Sequence, residues 1–360
     1  MSDAGAQWVP AWPSGRGPVA QAWSRASYAR PSSHDGERSL GGGTLTVLAI
    51  VAGALDPQGP VAESMATLWW LMLALGLVVF VVVIVVLLLG LFRRRIPPDP
   101  RSDGPASSRL GRMIVVGGVV MPVVVVSAVF AATVVAMRDV ARDAPPDALI
   151  VEVVGHQWWW EVRYPDEGVI TANEIHIPVG RPVAFSLTSA DVIHSFWAPA
   201  LGGKMDLLPD GVNTLVLEAD VPGVHRTECA EFCGLHHALM ELTVVAEPAD
   251  QFAAWVAGQS APAVAPTSGV TQRGQQLLVD GECAKCHTVR GTAAEGADGP
   301  DLTHLASRSE IGAGAAENTS DDLREWITDP HRFKNDVEMP ATELSDADVQ
   351  AIVAYLESLE

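Results

Sequence analysis

The feature that most limits this chain is an absence of charge. Residues 66–92 (ATLWWLMLALGLVVFVVVIVVLLLGLF) run for 27 positions without Asp, Glu, Lys or Arg, and residues 113–137 (MIVVGGVVMPVVVVSAVFAATVVAM) for 25. About 20 apolar residues in a helix cross the hydrocarbon core of a bilayer. Two spans, within a hairpin at 65–142, are therefore expected, rather than a pair of buried core helices. Pro122 falls inside the second and should bend it, which membrane helices tolerate. The intervening RRRIPPDPRSDGPASSRLGR holds six arginines and two aspartates. That excess of base sets the short loop on the cytoplasmic side, so everything from about Arg138 onward is extracytoplasmic.

Charge divides the chain at the same place. Before Asp143 there are 12 basic and 8 acidic residues, every base an arginine; from Asp143 onward there are 11 basic and 35 acidic, a net of −24. An acidic soluble part excludes nucleic acid as a partner and favours basic proteins. Residues 1–64 are expected to be disordered or an over-extended start. Within them, 44–54 (TLTVLAIVAGA) reads as a signal peptide with a small-x-small cleavage site at Ala52-Gly53-Ala54, the alternative being a third, short membrane segment.

Residues 143–257 lose the helical period. Short β-branched and aromatic runs (ALIVEVVGHQWWWEV, EIHIPVG, PVAFSLTS, NTLVLEAD, MELTVVAE) alternate with turn signals such as Pro209-Asp210-Gly211 and Val221-Pro222-Gly223. This pattern predicts a Greek-key sandwich or barrel. Between TLVLEAD and MELTVVAE lies CAEFCGLHHALM, holding Cys229, Cys233, His236, His237 and Met240. Thiolate, imidazole and thioether together select copper, and His194, beside another strand, can close the site. A disulfide between Cys229 and Cys233 would leave the histidines and Met240 without a role, and structural zinc makes no use of methionine.

Beyond a Gly/Ala/Pro/Ser linker at 258–270, residues 271–360 contain CAKCH, Cys283 to His287. C-x-x-C-H is the attachment signature of c-type haem, with thioethers from Cys283 and Cys286 and His287 on the iron. Met339, the only methionine after residue 240, is the expected sixth ligand; Met/His ligation raises the potential and suits electron transfer. Ser345-x-x-Asp348 reads as the cap of a final helix whose Ile352, Val353 and Leu356 share a face. His304 and His331 read as surface residues.

The loop C-x-E-x-C-G-x-x-H-x-x-M, the upstream GHQWWWEVRYP, the segment TSADVIHSFWAPALGGKMDLLPD and the two-helix hairpin together resemble subunit II of the haem–copper cytochrome c oxidases. With CAKCH and the Met339-Pro340 segment, which resembles class I cytochromes c, the chain is similar to the oxidase subunits II that carry a fused cytochrome c. The resemblance implies a multi-domain chain: a transmembrane hairpin, a cupredoxin-like sandwich and an all-α cytochrome domain. It implies two copper ions, the copper A centre, bridged by Cys229 and Cys233. His194 and His237 would each bind one copper, with Met240 and the Glu231 carbonyl as weak axial ligands. It further implies covalently bound haem c, a magnesium at the Glu231 side chain shared with subunit I, and electron entry at Trp158, while Trp159 only packs and His236 sits at the rim.

The implied partners are subunits I and III and a basic cytochrome c or cytochrome bc complex, in a bacterial inner membrane. Oxygen reduction, with proton translocation, would belong to subunit I, so the chain carries no catalytic residue of its own. Quinol oxidase subunits II share the hairpin and sandwich but lack the two cysteines. Nitrous oxide reductase needs a propeller domain, and a copper carrier needs no haem. Two departures stand out. Residues 110–122 lack the glutamate that the family usually has there for proton uptake, with Glu63 at the far end of the first helix, and Trp159 stands where tyrosine is common.

Overall fold

A computed structural model describes residues 53–92, 108–140 and 142–360; the signal-peptide reading at 44–54 lies almost wholly outside them. Helix α1, Pro60–Phe92, and the run Ser108–Val115 (α2), Val116–Val120 and Met121–Val140 (α3) pack as a hairpin. Over the most apolar stretch of each, none of the residues is buried inside the protein. That is the opposite of core helices: the apolar side chains face whatever surrounds the chain. The expected bend takes the form of a π-helical turn. Pro122 has no N–H for the Gly118 carbonyl and its ring crowds that group. Just ahead of it the helix widens, and the Met121 N–H bonds to Val116 O, the register of a π turn.

The first helix begins six residues before the uncharged run. Its first turns are held by the sandwich: Val61, Ala62 and Ala66 are buried, and Gln58 N–H donates to Ala200 O at 2.7 Å while Gln58 O accepts from Asp220 N–H at 2.8 Å.

Two five-stranded sheets form the sandwich. The strands are β1 Leu149–His156, β2 Trp159–Tyr164, β3 Val169–Ala172, β4 Glu174–Pro178, β5 Val183–Ser189, β6 His194–Trp197, β7 Lys204–Leu207, β8 Asn213–Leu217, β9 Gly223–Cys229 and β10 Glu241–Glu247. One sheet has the order β3-β2-β1-β5-β8 and the other β4-β10-β9-β6-β7. Strand β1 shows the reason in miniature: its residues alternate buried and half-buried, with Leu149, Val151 and Val153 inward. Trp160, Tyr164, Phe185, Phe196 and Leu187 are fully buried between the sheets. Each such side chain contributes about 1.5–3 kcal/mol, so the frame stands on apolar packing rather than on bound metal.

Strand β9 corrects the expectation that the Cys229–Met240 loop follows TLVLEAD. The loop joins β9 to β10, and Cys229 is the last residue of β9. The inward face of β9 carries His225 and Thr227 and its outward face the exposed Val224, so its hydrophobic alternation is inverted and the strand is hard to read.

Helix α4, Ala249–Gln259, closes one end of the sandwich, stacking Trp255 on His176 at 4.3 Å. The last domain is helical. Helix α5, Gly269–Val279, crosses α7, Asp346–Leu356, at Gly274, where a side chain would collide with Ala351 O. Helix α6 spans Ser320–Thr328. Ser345 Oγ accepts from Asp348 N–H as the cap of α7, whose Ile352, Val353 and Leu356 are buried. His304 is not a surface residue: it is buried, with Nδ1 at 2.6 Å from Glu360 O and Nε2 at 3.0 Å from Ala261 O. It ties the C-terminus to the linker, a role set by contacts far apart in sequence.

Candidate metal centre

Sheet pairing brings the copper-loop residues together. In the register of β6 against β9, Phe196 pairs with Cys229, which sets His194 at the start of β6 beside the Cys229 thiol. The sulfurs of Cys229 and Cys233 are 3.8 Å apart, whereas a disulfide needs about 2.05 Å. His194 Nδ1 lies 3.9 Å from Cys229 Sγ, and His237 Nδ1 3.7 Å from Cys233 Sγ. Met240 Sδ is 3.8 Å from Cys233 Sγ and Glu231 O 3.2 Å from Cys229 Sγ. The two sulfurs thus lie side by side, with one imidazole beside each. Separations of this size leave room for ions between the donors.

The supports of these donors are less visible in sequence. Asp191 Oδ1 accepts from His194 Nε2 at 2.8 Å, which turns Nδ1 toward the sulfurs, and Asp191 Oδ2 accepts from Gln157 N–H at 2.6 Å. Burial works against the charged form of His194, but its bonds to Cys229 and Asp191 prevail and raise its pKa. The His194 ring lies flat enough on β1 that a side chain at Gly155 would meet its Cδ2 at 2.7 Å. Gly234, at φ +116, turns the loop back over Trp158. There the Trp158 indole N–H and the Gln157 amide donate to Cys233 O, at 3.1 and 2.7 Å. The two thiols share charge across their mutual hydrogen bond, which holds Cys229 low and drives Cys233 high.

His236 is a correction as well. It is buried rather than at the rim, edge-on to Trp158 with ring centroids 4.9 Å apart, and bonded to Asn335 O of the last domain. Trp159 stacks on His156, and the Glu231 side chain is exposed.

The haem turn is local by contrast. Glu282–Lys285 forms a 3₁₀ turn, and His287 N–H donates to Cys283 O at 2.9 Å. Nδ1 of His287 sits 2.8 Å from Pro300 O, an anchor that leaves Nε2 as the free ring nitrogen. Burial holds the His287 pKa down, favouring the neutral ring that an iron ligand needs. Gly299 packs on this ring so closely that a side chain would meet Cε1 at 2.7 Å. Met339 lies partly buried in the irregular stretch after the Pro330–Arg332 turn.

Comparison with known proteins agrees in both halves. A family model for the periplasmic domain of cytochrome c oxidase subunit II matches residues 168–247, and one for cytochrome c matches 271–360. A cytochrome c oxidase subunit 2 from Alkalihalophilus pseudofirmus is 36% identical over 317 residues, spanning 85% of this chain and 90% of the relative. The chain belongs to the cytochrome c oxidase subunit 2 family. The same subunit from Bacillus sp. (strain PS3) is 37% identical over 241 residues, 64% of this chain and 67% of that one. The crystal structure of the periplasmic domain of subunit II of cytochrome oxidase from Bradyrhizobium japonicum is 31% identical. It covers 32% of this chain and 96% of its own, at a TM-score of 0.32.

Membership in the cytochrome c oxidase subunit 2 family, together with the cytochrome c domain, implies copper and haem binding, an electron-transfer role in a haem–copper oxidase and partnership with subunit I. The two apolar helices fit a membrane subunit with a periplasmic domain.

Proposed function

We propose that this subunit II carries electrons from an external donor, through haem c held by Cys283, Cys286, His287 and Met339, to a two-copper centre, and on to subunit I. There oxygen would be reduced to water with proton translocation. The observation that carries the copper half is the run of donors: His194 beside Cys229, the two sulfurs beside each other, and His237 beside Cys233. One metal would need all the donors to converge, whereas this run of donors would give each of two metals an imidazole and a share of the two thiols. Met240 and the Glu231 carbonyl, both beside the sulfurs, would complete the donor set. Bound there, the copper pair supplies one-electron redox chemistry with the charge spread over both ions. The protein's part is to hold the donors still, which lowers the reorganisation on electron transfer. Asp191 fixes the His194 tautomer, and Trp158 and Gln157 pin the loop through Cys233 O. The same indole hydrogen bond ties Trp158 to the Cys233 backbone, a route by which it would pass electrons to the centre.

The exposed Glu231 carboxylate suits a magnesium completed by subunit I, with subunit III adjacent in the bacterial inner membrane. The acidic periplasmic surface suits a basic cytochrome c or a cytochrome bc complex as donor. Residues 65–142, 143–257 and 271–360 serve as anchor, copper domain and haem domain, with 1–64 ahead of them and 258–270 as linker. Metal analysis of the full chain, matured with haem and copper, is expected to give two coppers and one covalent haem per chain. One copper, or one zinc, would defeat the two-copper reading.

A further inference from the structure

Among the described residues, the least exposed Lys, Arg, Asp or Glu is Lys334, at 1%. It lies on the cytochrome domain, yet its ammonium donates to Trp158 O on the copper domain at 3.2 Å. It makes no ion pair among the described residues, and one carbonyl is poor return for burying an ammonium with three N–H groups. Burial pushes its pKa down to about 7. The one hydrogen bond of its side chain leaves the cytochrome domain, so the ammonium serves the contact between the domains rather than the cytochrome fold itself. The next residue repeats the contact, Asn335 O accepting from His236. Further along the same seam Glu241 N–H donates to Ala313 O at 3.1 Å, and Ser309 Oγ to Glu174 Oε2 at 3.1 Å. Lys334 lies two residues past the Pro330–Arg332 turn, its N–H on Pro330 O at 3.0 Å, and stands five residues before Met339.

We infer that Lys334 is a positioning residue that seats the cytochrome domain on the copper loop at Trp158 and His236, so that the haem domain donates from a fixed dock rather than from a swinging tether. The inference rests on the electron route proposed above. It adds that a single segment, 330–339, carries both the dock and the haem's sixth ligand, and that the docked domain covers the Trp158 backbone against a soluble donor. An electron from outside then enters through haem c.

The test uses the assembled oxidase with wild-type chain, Lys334→Met and Lys334→Arg. Haem c is reduced by a flash-excited small-molecule reductant and its reoxidation followed optically, while hydrogen exchange is read at 157–160 and 334–336. Lys334→Met is expected to slow reoxidation tenfold or more and to expose both segments to exchange, with haem content, copper content and thermal stability kept. Lys334→Arg is expected to restore most of the rate. An unchanged rate in Lys334→Met, or a slowed rate with both segments still protected, overturns the inference. If the purified wild-type chain held no copper or haem, the electron route would fail, while the exchange comparison would still decide whether Lys334 forms the dock.

Discussion

The two redox sites are built in opposite ways. The haem turn is a local object: Cys283, Cys286 and His287 sit within five residues, and the turn's own backbone bonds hold them. The copper site is a tertiary object. Its donors come from the start of β6, the end of β9 and the loop into β10, and Asp191 and Gly155 shape it from outside the motif. A local site is robust to changes elsewhere, but a sixth ligand such as Met339, as proposed, would have to come from a distant segment. A tertiary site has all its donors in place and depends on the register of two strands.

The sharpest way to break the comparison is Cys229→Ser. It is expected to remove both coppers and leave covalent haem intact, as metal analysis beside the haem absorption would report; loss of haem as well would mean that the sites are not independent. Met339→His comes next. Covalent attachment should survive while the potential falls by on the order of 0.1–0.3 V, within the ~0.8 V that axial ligands span; redox titration measures it, and an unmoved potential would assign the sixth ligand elsewhere. The smallest effects come from residues that touch no sulfur. Asp191→Asn, which weakens the hold on His194 Nε2, should lower copper affinity about 10–100-fold. Gly155→Val, which drives a side chain into the His194 ring, should do at least as much. Competition with a chelator ranks the two, and copper binding at wild-type strength in both would show that the loop alone makes the site.

Much of this was legible from residues that announce their own chemistry. CAKCH and the Cys229–Met240 loop could be picked out directly, because residue type and spacing are properties of the chain. So could the spans, because a run without charge needs no partner to be recognised. Asp191 was less visible: its place three residues before His194 hints at a carboxylate–histidine pair, but only the turn aims it. Lys334 gave no signal at all. In RFKND it reads as a solvated surface residue, and its burial comes from the other domain. His236 and His304 were misread for the same reason, since both are buried by segments about 100 and 40–60 residues away.

Sequence by itself determined the order of parts, two membrane helices, a strand-rich domain and a haem domain, along with which side chains carry sulfur and imidazole. Hydrophobic period and ligand spacing are written along the chain and do not depend on what lies across from them. Only the tertiary structure decided that each sulfur lies beside a histidine rather than in a disulfide, that β9 delivers Cys229, and that the haem domain rests on Trp158. Those outcomes are distances between residues far apart in the chain, fixed by sheet register and by burial against a second surface.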